Sequence, residues 1–360
     1  MSTPDPTRDR RAEPFALDAV AAMQRSDARL SAAIDDFFLP DESRLDDRTR
    51  AALARQLGAI VGAIETDIRR HAARVLTGWA EEGAAVALVE AQGEAIDRLL
   101  RVGVLRDRSL MEELIARVRQ DLLAAALPIV VEADQPSVLV RLTDVGDSVV
   151  AAAAAALLAA QSRRRSANDL GVAAGSELSA ENHHRLVWWV AAAIRTGMGS
   201  TMLADRAIEE AALRSLAAHD EGERLEALAT RLAIAIDARP DELPSLLLDI
   251  LGDRTLALFV AVLARATGLD YEQIRAVLLD PVGDELWLVL RAASLDRPTI
   301  ARIGLSLADA DQRRDIETLA DRLDAIVAIA PADALTTLAP LTLHADLRRA
   351  IGDLARGSAA

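Results

Sequence analysis

Apolar residues return every three or four positions along most of the chain, the spacing that gives a helix one buried face. Over residues 47–80, Leu53, Leu57, Ile60, Val61 and Ile64 recur in this way. Glu65 stands four residues before Arg69, in the order that supports a helix. Residues 85–127 predict further helices. They are broken at Val102-Gly103-Val104-Leu105-Arg106-Asp107, with Asp107 or Ser109 as the next cap. Pro128 and Pro136 bracket a short interruption, and Asp144-Val145-Gly146-Asp147 precedes an alanine-rich helix over 148–161. Three more helices are expected over 179–196, 200–218 and 222–237. They part at Gly197-Met198-Gly199 and at His219-Asp220-Glu221-Gly222. The β-branched run Ile129-Val130-Val131 has no partner run nearby, so no strand is expected. None of the 12 prolines needs to lie inside these helices.

A repeated punctuation organises residues 241–315. Leu248-Asp249-x-x-Gly252-Asp253 returns 31 residues later as Leu279-Asp280-x-x-Gly283-Asp284, and a decayed copy, Asp311-x-x-Arg314-Asp315, follows at the same interval. The mechanical reading is a helix end, a left-handed glycine past it, and an aspartate capping the next helix. Apolar stripes flank each copy: Leu243, Leu246, Leu247 and Ile250; Leu256, Phe259, Val260 and Leu263; Leu286, Val289, Leu290 and Ala293. The expectation is an all-α, two-lobed, multi-helical protein with HEAT-like stacked helical hairpins.

The domain boundaries follow composition. Residues 1–14, with Pro4, Pro6 and Pro14 among charges, predict a disordered N-terminus. Residues 15–162 form an N-terminal helical domain, beginning with helices in 15–38 and a hydrophobic hook at Phe37-Phe38-Leu39-Pro40. Residues 163–178 read as a linker, polar and without apolar periodicity. Residues 179–330 form the C-terminal helical-repeat domain. Residues 331–360 supply C-terminal helices and a tail, with joints at Pro331 and Pro340.

Composition narrows the chemistry. The 360 residues are 51% hydrophobic but 2% aromatic, so the core rests on Ala, Leu, Val and Ile, and no pocket for a large planar cofactor is advertised. No cofactor is expected. The absence of cysteine removes disulfides, thiolate catalysis and Cys-based zinc sites. All 41 basic residues are arginine, which excludes Schiff-base lysines and a Walker lysine. A net charge of −15 opposes binding to nucleic acid and to anionic membranes. The longest apolar run, residues 149–160, is too short to span a bilayer, and no secretory signal is visible; the expected location is the cytoplasm.

The most unusual patch is Asn182-His183-His184-Arg185-Leu186-Val187-Trp188-Trp189-Val190, which holds two of the four tryptophans and two of the five histidines. Adjacent helical positions point about 100° apart, so His183 and His184 do not share a metal easily, and no metal site is expected. The segment 186–194 is apolar around its circumference. It is expected either at the centre of its domain or in a subunit interface, with His183, His184, Arg185, Trp188 and Trp189 as candidate partner-binding residues and a homodimer as one outcome. A phosphoacceptor role for His183 or His184 is an alternative. Arg163, Arg164 and Arg165 read as linker solvation, with an acidic peptide or phosphate contact as the other reading. Together with Arg185 and Arg195 they would hold a small anionic ligand between lobes. The aspartates at 249/253, 280/284 and 311/315 suit capping better than calcium, which wants several oxygens within a dozen residues and a closing glutamate. Asp35-Asp36 and Asp46-Asp47 read as solvated charge. No Gly-x-Ser-x-Gly elbow or phosphate loop occurs. No catalytic residue is expected.

Several stretches resemble the bacterial domain-of-unknown-function 2336 family, large helical proteins of alphaproteobacteria with HEAT-like repeats. They are Leu45-Asp46-Asp47-Arg48-Thr49-Arg50, Ile60-Val61-x-x-Ile64-Glu65-x-x-Ile68-Arg69, Leu99-Leu100-x-x-Gly103-Val104-Leu105-x-Asp107-x-x-Leu110, and Gly146-Asp147-Ser148-Val149-Val150-Ala151-Ala152. The similarity spans most of residues 45–300 and brings no catalytic residues with it. The interval of 31 is shorter than the about 40 residues of a HEAT unit. The resemblance implies a bacterial regulatory or signalling setting. Combined with the stacked hairpins, the expected function is a non-catalytic scaffold or adaptor that binds a protein partner.

Overall fold

The computed structural model describes residues 44–91, 93–129, 136–170, 178–198, 201–281 and 285–343, and positions 346, 347, 350, 351 and 354. The expected disordered start, the helices in 15–38 with their hook, Val130-Val131, Gly171 to Gly175, Gly283-Asp284 and most of the expected last helix lie outside these residues. Among the described residues every regular element is helical: sixteen α-helices and four-residue or shorter 3₁₀ turns, with no strand. The chain is all-α, as its periodicity predicts.

Contacts divide the chain into residues 1–50 and 51–360. In the first unit Asp46 caps the start of a long helix, accepting from the Thr49 amide and hydroxyl, each at 2.7 Å. That helix is α1 (Asp47–Gly78). There follow α2 (Glu82–Glu90), α3 (Ala95–Val102), α4 (Arg108–Ala126), α5 (Val138–Thr143) and α6 (Ser148–Asp169). Next come α7 (Ala180–Met198), α8 (Met202–Ala218), α9 (Leu225–Ile236), α10 (Leu243–Gly252) and α11 (Leu256–Thr267). The series ends with α12 (Tyr271–Leu279), α13 (Glu285–Ala292), α14 (Arg297–Ala310), α15 (Ile316–Ala328) and α16 (Pro331–Leu338).

The centre of the second unit is α11. Every residue from Leu256 to Ala264 is buried, Phe259 and Leu263 completely. A helix apolar on all sides has to be covered on all sides. Helices α9, α10, α12, α13 and α4 provide the cover. The stretch expected to be central, residues 186–194, is only partly so: in α7 the two tryptophans are half-buried and Ala192 is exposed. The reason is packing, since α7 pairs chiefly with α8 and α3, which leaves one side open.

The first part of the expected linker is helical. Helix α6 continues through Asp169, so Arg163, Arg164 and Arg165 are helical. Helix α6 packs along α9, and α4 against α12 and α14. Arg164 and Arg163 are drawn down by Asp121 (2.6 Å) and Glu223 (3.4 Å), which gives a polar stretch reason to stay helical.

The glycine-aspartate punctuation also differs from its expected mechanics. Gly252 is the last residue of α10, and the left-handed position falls on Arg254 (φ 58°). The Thr255 amide donates to the Ile250 carbonyl (3.1 Å) and the Arg254 amide to Leu251 (3.0 Å), a Schellman closure. Asp253 does not cap α11; its carboxylate accepts the Val138 amide at the start of α5, while Asp249 pairs with Arg141 at 2.6 Å. The motif ties two distant helices together. In the decayed copy, Asp315 does cap α15, accepting from the Glu317 and Thr318 amides at 3.0 and 3.1 Å. Asp107 caps α4 through the Leu110 amide at 3.0 Å, and Asp147 receives the Val149 and Val150 amides at the start of α6.

Candidate functional site

The start of α7 is fixed by a carboxylate. Glu113 of α4 accepts from the Ser179 amide (2.9 Å) and hydroxyl (2.8 Å) and from Asn182 Nδ2 (2.7 Å). A negative group at a helix N-terminus satisfies its free amides and its dipole. This anchoring sets the direction of the His-Trp patch. His183 turns inward onto His219, with ring centroids 3.9 Å apart and planes 8° from parallel. Burial, then the neighbouring His219, pushes the His183 pKa down to about 4. Burial also lowers His219, whose Nε2 lies 3.1 Å from the Leu178 carbonyl. The stacked rings are therefore both uncharged at neutral pH.

His184 points the other way and is exposed; its Nε2 accepts from Trp188 Nε1 at 3.2 Å. Trp188 and Trp189 are half-buried. Arg185 binds Asp107 at 2.8 Å and Glu181 at 2.6 Å. The five patch residues thus split between an inward stack and an outward edge. Of the arginines expected to hold an anion, Arg163, Arg164, Arg185 and Arg195 each carry a carboxylate partner, Asp205 in the last case at 2.9 Å. Arg165 is exposed on α6.

A buried charge network lies between α4, α9 and α12. Glu226, 7% exposed, accepts from Arg117 at 2.8 Å and lies 3.5 Å from Arg275 and 3.8 Å from Arg224. Burial alone would raise the carboxyl; Arg117, Arg224 and Arg275 overcome it and hold the pKa at about 2. Arg224 also reaches Glu113 (2.8 Å), which joins the network to the cap of α7. Gln120 donates to Tyr271 Oη at 3.1 Å, and burial raises the phenol well above its ordinary value. Sequence reading missed this cluster. Its one signal is Arg117 on the apolar face between Leu114 and Val118, where a cation needs a buried partner.

The third feature is a trough of about 1000 Å³ running along α1 and closed by α4 and α6. Its floor is small and apolar, from Gly58, Ala59, Gly62 and Ala63 of α1 to Val118 and Leu122 of α4. Arg55 and Arg70 stand on α1 along the trough, and Arg164 faces them from α6. Here too there was a signal: Gly58 and Gly62, one turn apart in the middle of a strong helix pattern.

Among the described residues no group of three or more histidine and carboxylate side chains is placed to hold a metal. No single helix there is long and apolar enough to cross a membrane; α15 and the segment after it pass that test only together, bent by 109°.

The fold and these features define an all-α, multi-helical protein with an open trough along one helix. Compared with family models, curated proteins and solved structures, the chain matches none.

Proposed function

We propose that the protein is a non-catalytic helical scaffold or adaptor that offers surface to a protein partner. The observation that carries this reading is the use of the charged groups. The most deeply buried ones neutralise each other: Glu226 with Arg117 and Arg275, and Glu65 with Arg69 at 2.8 Å. A buried group committed to internal pairing holds the fold and is not free to titrate in a reaction. The trough along α1, in contrast, is long and floored by alanine and glycine, which suits a macromolecular contact. The resemblance to the domain-of-unknown-function 2336 family adds a bacterial regulatory or signalling setting, with HEAT-like stacking as the finer description of the helices, and the sequence without a visible secretory signal suits a cytoplasmic location.

Affinity capture of the full chain from its native cell, with quantitative mass spectrometry, tests the reading. A stoichiometric protein partner is the expected result. A co-purifying small molecule with no such partner overturns it in favour of ligand binding.

A further inference from the structure

We infer that the trough along α1 is a docking groove for one helix of a partner protein, about four turns long, with small side chains along its contact stripe and acidic residues towards its ends. The inference rests on the scaffold reading and names its site and partner chemistry.

The first support is what the two glycines do not do. A glycine inside a helix is destabilising by about 1 kcal/mol relative to alanine. Some helical glycines are explained by crowding: a Cβ at Gly304 would run into Leu319 and meet Trp287 at 3.4 Å. A Cβ at Gly58 or Gly62 would meet nothing within 4 Å. Among the described residues nothing needs those side chains absent. What they do is lower the floor of the trough over one turn of α1, where an approaching backbone gains most from the missing atoms.

The second support is shape. Arg55 and Arg70 are 15 positions apart on one helix, about 22 Å at the helical rise. The opening follows that axis, so its occupant is elongated. An extended peptide would lay its amides against Ala59, Ala63, Val118 and Leu122, while the carbonyls of α1 are already used within the helix. Leaving amides unpaired against an apolar floor is costly. A helix satisfies its own backbone and presents only side chains.

The third support is charge. Among the described residues Arg55 and Arg70 have no carboxylate partner, in a protein that carries 56 acidic residues against 41 basic ones. Asp67, which shares the lining, lies 3.3 Å from His71 Nδ1, and Arg164 is held by Asp121. Two positive ends around an apolar middle call for an occupant with negative ends. A second copy of this chain is the wrong occupant: face to face, two troughs would confront four unpaired arginines. Nucleic acid is wrong as well, since the floor offers neither a row of cations nor an aromatic platform.

The test pans a displayed library of 20-residue helix-forming peptides against the full chain and measures the winners by fluorescence anisotropy. Winners are expected to carry Asp or Glu about four turns apart around Ala, Gly or Ser. Their affinity is expected to fall roughly tenfold or more with Gly62→Leu, the scale of losing a central contact. The same loss is expected with the surface double variant Arg55→Glu, Arg70→Glu, which leaves the core untouched. Leu305→Ser, on the exposed side of α14, is expected to change nothing. Basic winners, proline-bearing extended winners, no winners, or binding indifferent to both trough variants would each overturn the inference. So would a dimer in sedimentation that Gly62→Leu abolishes. If a stoichiometric cellular partner binds the trough variants and the wild type alike, the scaffold reading stands and the groove falls. If no such partner exists, the scaffold reading itself falls.

Discussion

Single residues carry the buried electrostatics. Glu226 lies within 4 Å of Arg117, Arg224 and Arg275, which Glu113, Glu221 and Glu272 also meet. Glu226→Gln would remove the charge at the centre of the network; with Glu113 and Glu272 still beside Arg117 and Arg275, the expected loss is about 1–3 kcal/mol in urea unfolding. A loss under about 1 kcal/mol would mean that water reaches the site. His183 gives a pH signature. Folding lowers its pKa from 6.5 to about 4, so the unfolded chain takes up a proton first as pH falls. The His183 contribution is whole above about pH 6.5 and is lost on descending towards pH 4. Asp67 opposes the shift; His184 and His219 add to it. His183→Phe keeps a ring against His219 and is expected to flatten the stability slope between pH 6.5 and 4; an unchanged slope would assign it to other groups. Neither effect was legible in the sequence. The histidine pair was visible, but stacking joins His183 to His219, and no spacing rule connects residues on different helices.

At the scale of elements, most helices were legible because apolar stripes and caps agree. Asp107, Asp147 and Asp315 all stand where punctuation put them and bond the amides expected of them. The Asp249/Gly252/Asp253 motif was legible as a helix end but not as a tie to α5, because Val138 and Arg141 lie more than a hundred residues away. The linker at 163–169 misled for a related reason. Its arginines look solvated locally and become helix-compatible only through Asp121 and Glu223. Glycine substitutions separate open from crowded helix positions. Gly58→Ala and Gly62→Ala are each expected to stabilise the protein by about 1 kcal/mol, since the methyl enters empty space. Gly304→Ala is expected to lose that gain to overpacking against Leu319 and destabilise by about 1–2 kcal/mol. Urea midpoints of the three variants check both signs; equal effects at all three would show that the trough floor is not open.

At the scale of the molecule, helical class was readable in the periodicity. Composition marks a polar stretch near 163–178, but contacts across it are made by Arg117 with Glu226 and by α6 with α9. Residues 51–170 and 178–360 expressed apart are therefore expected to lack sharp near-ultraviolet dichroism, and to regain it only when mixed. Two independently folded halves would support two lobes instead. Helix α11 has a consequence of another kind. Its amide hydrogens lie beneath neighbours on every side, so no local fraying exposes them to solvent. In heavy water these protons are expected to trade for deuterium last, at a pace set by opening of the whole core. Peptides covering 256–264 would thus serve as a built-in clock against which every loosening elsewhere in the chain is timed.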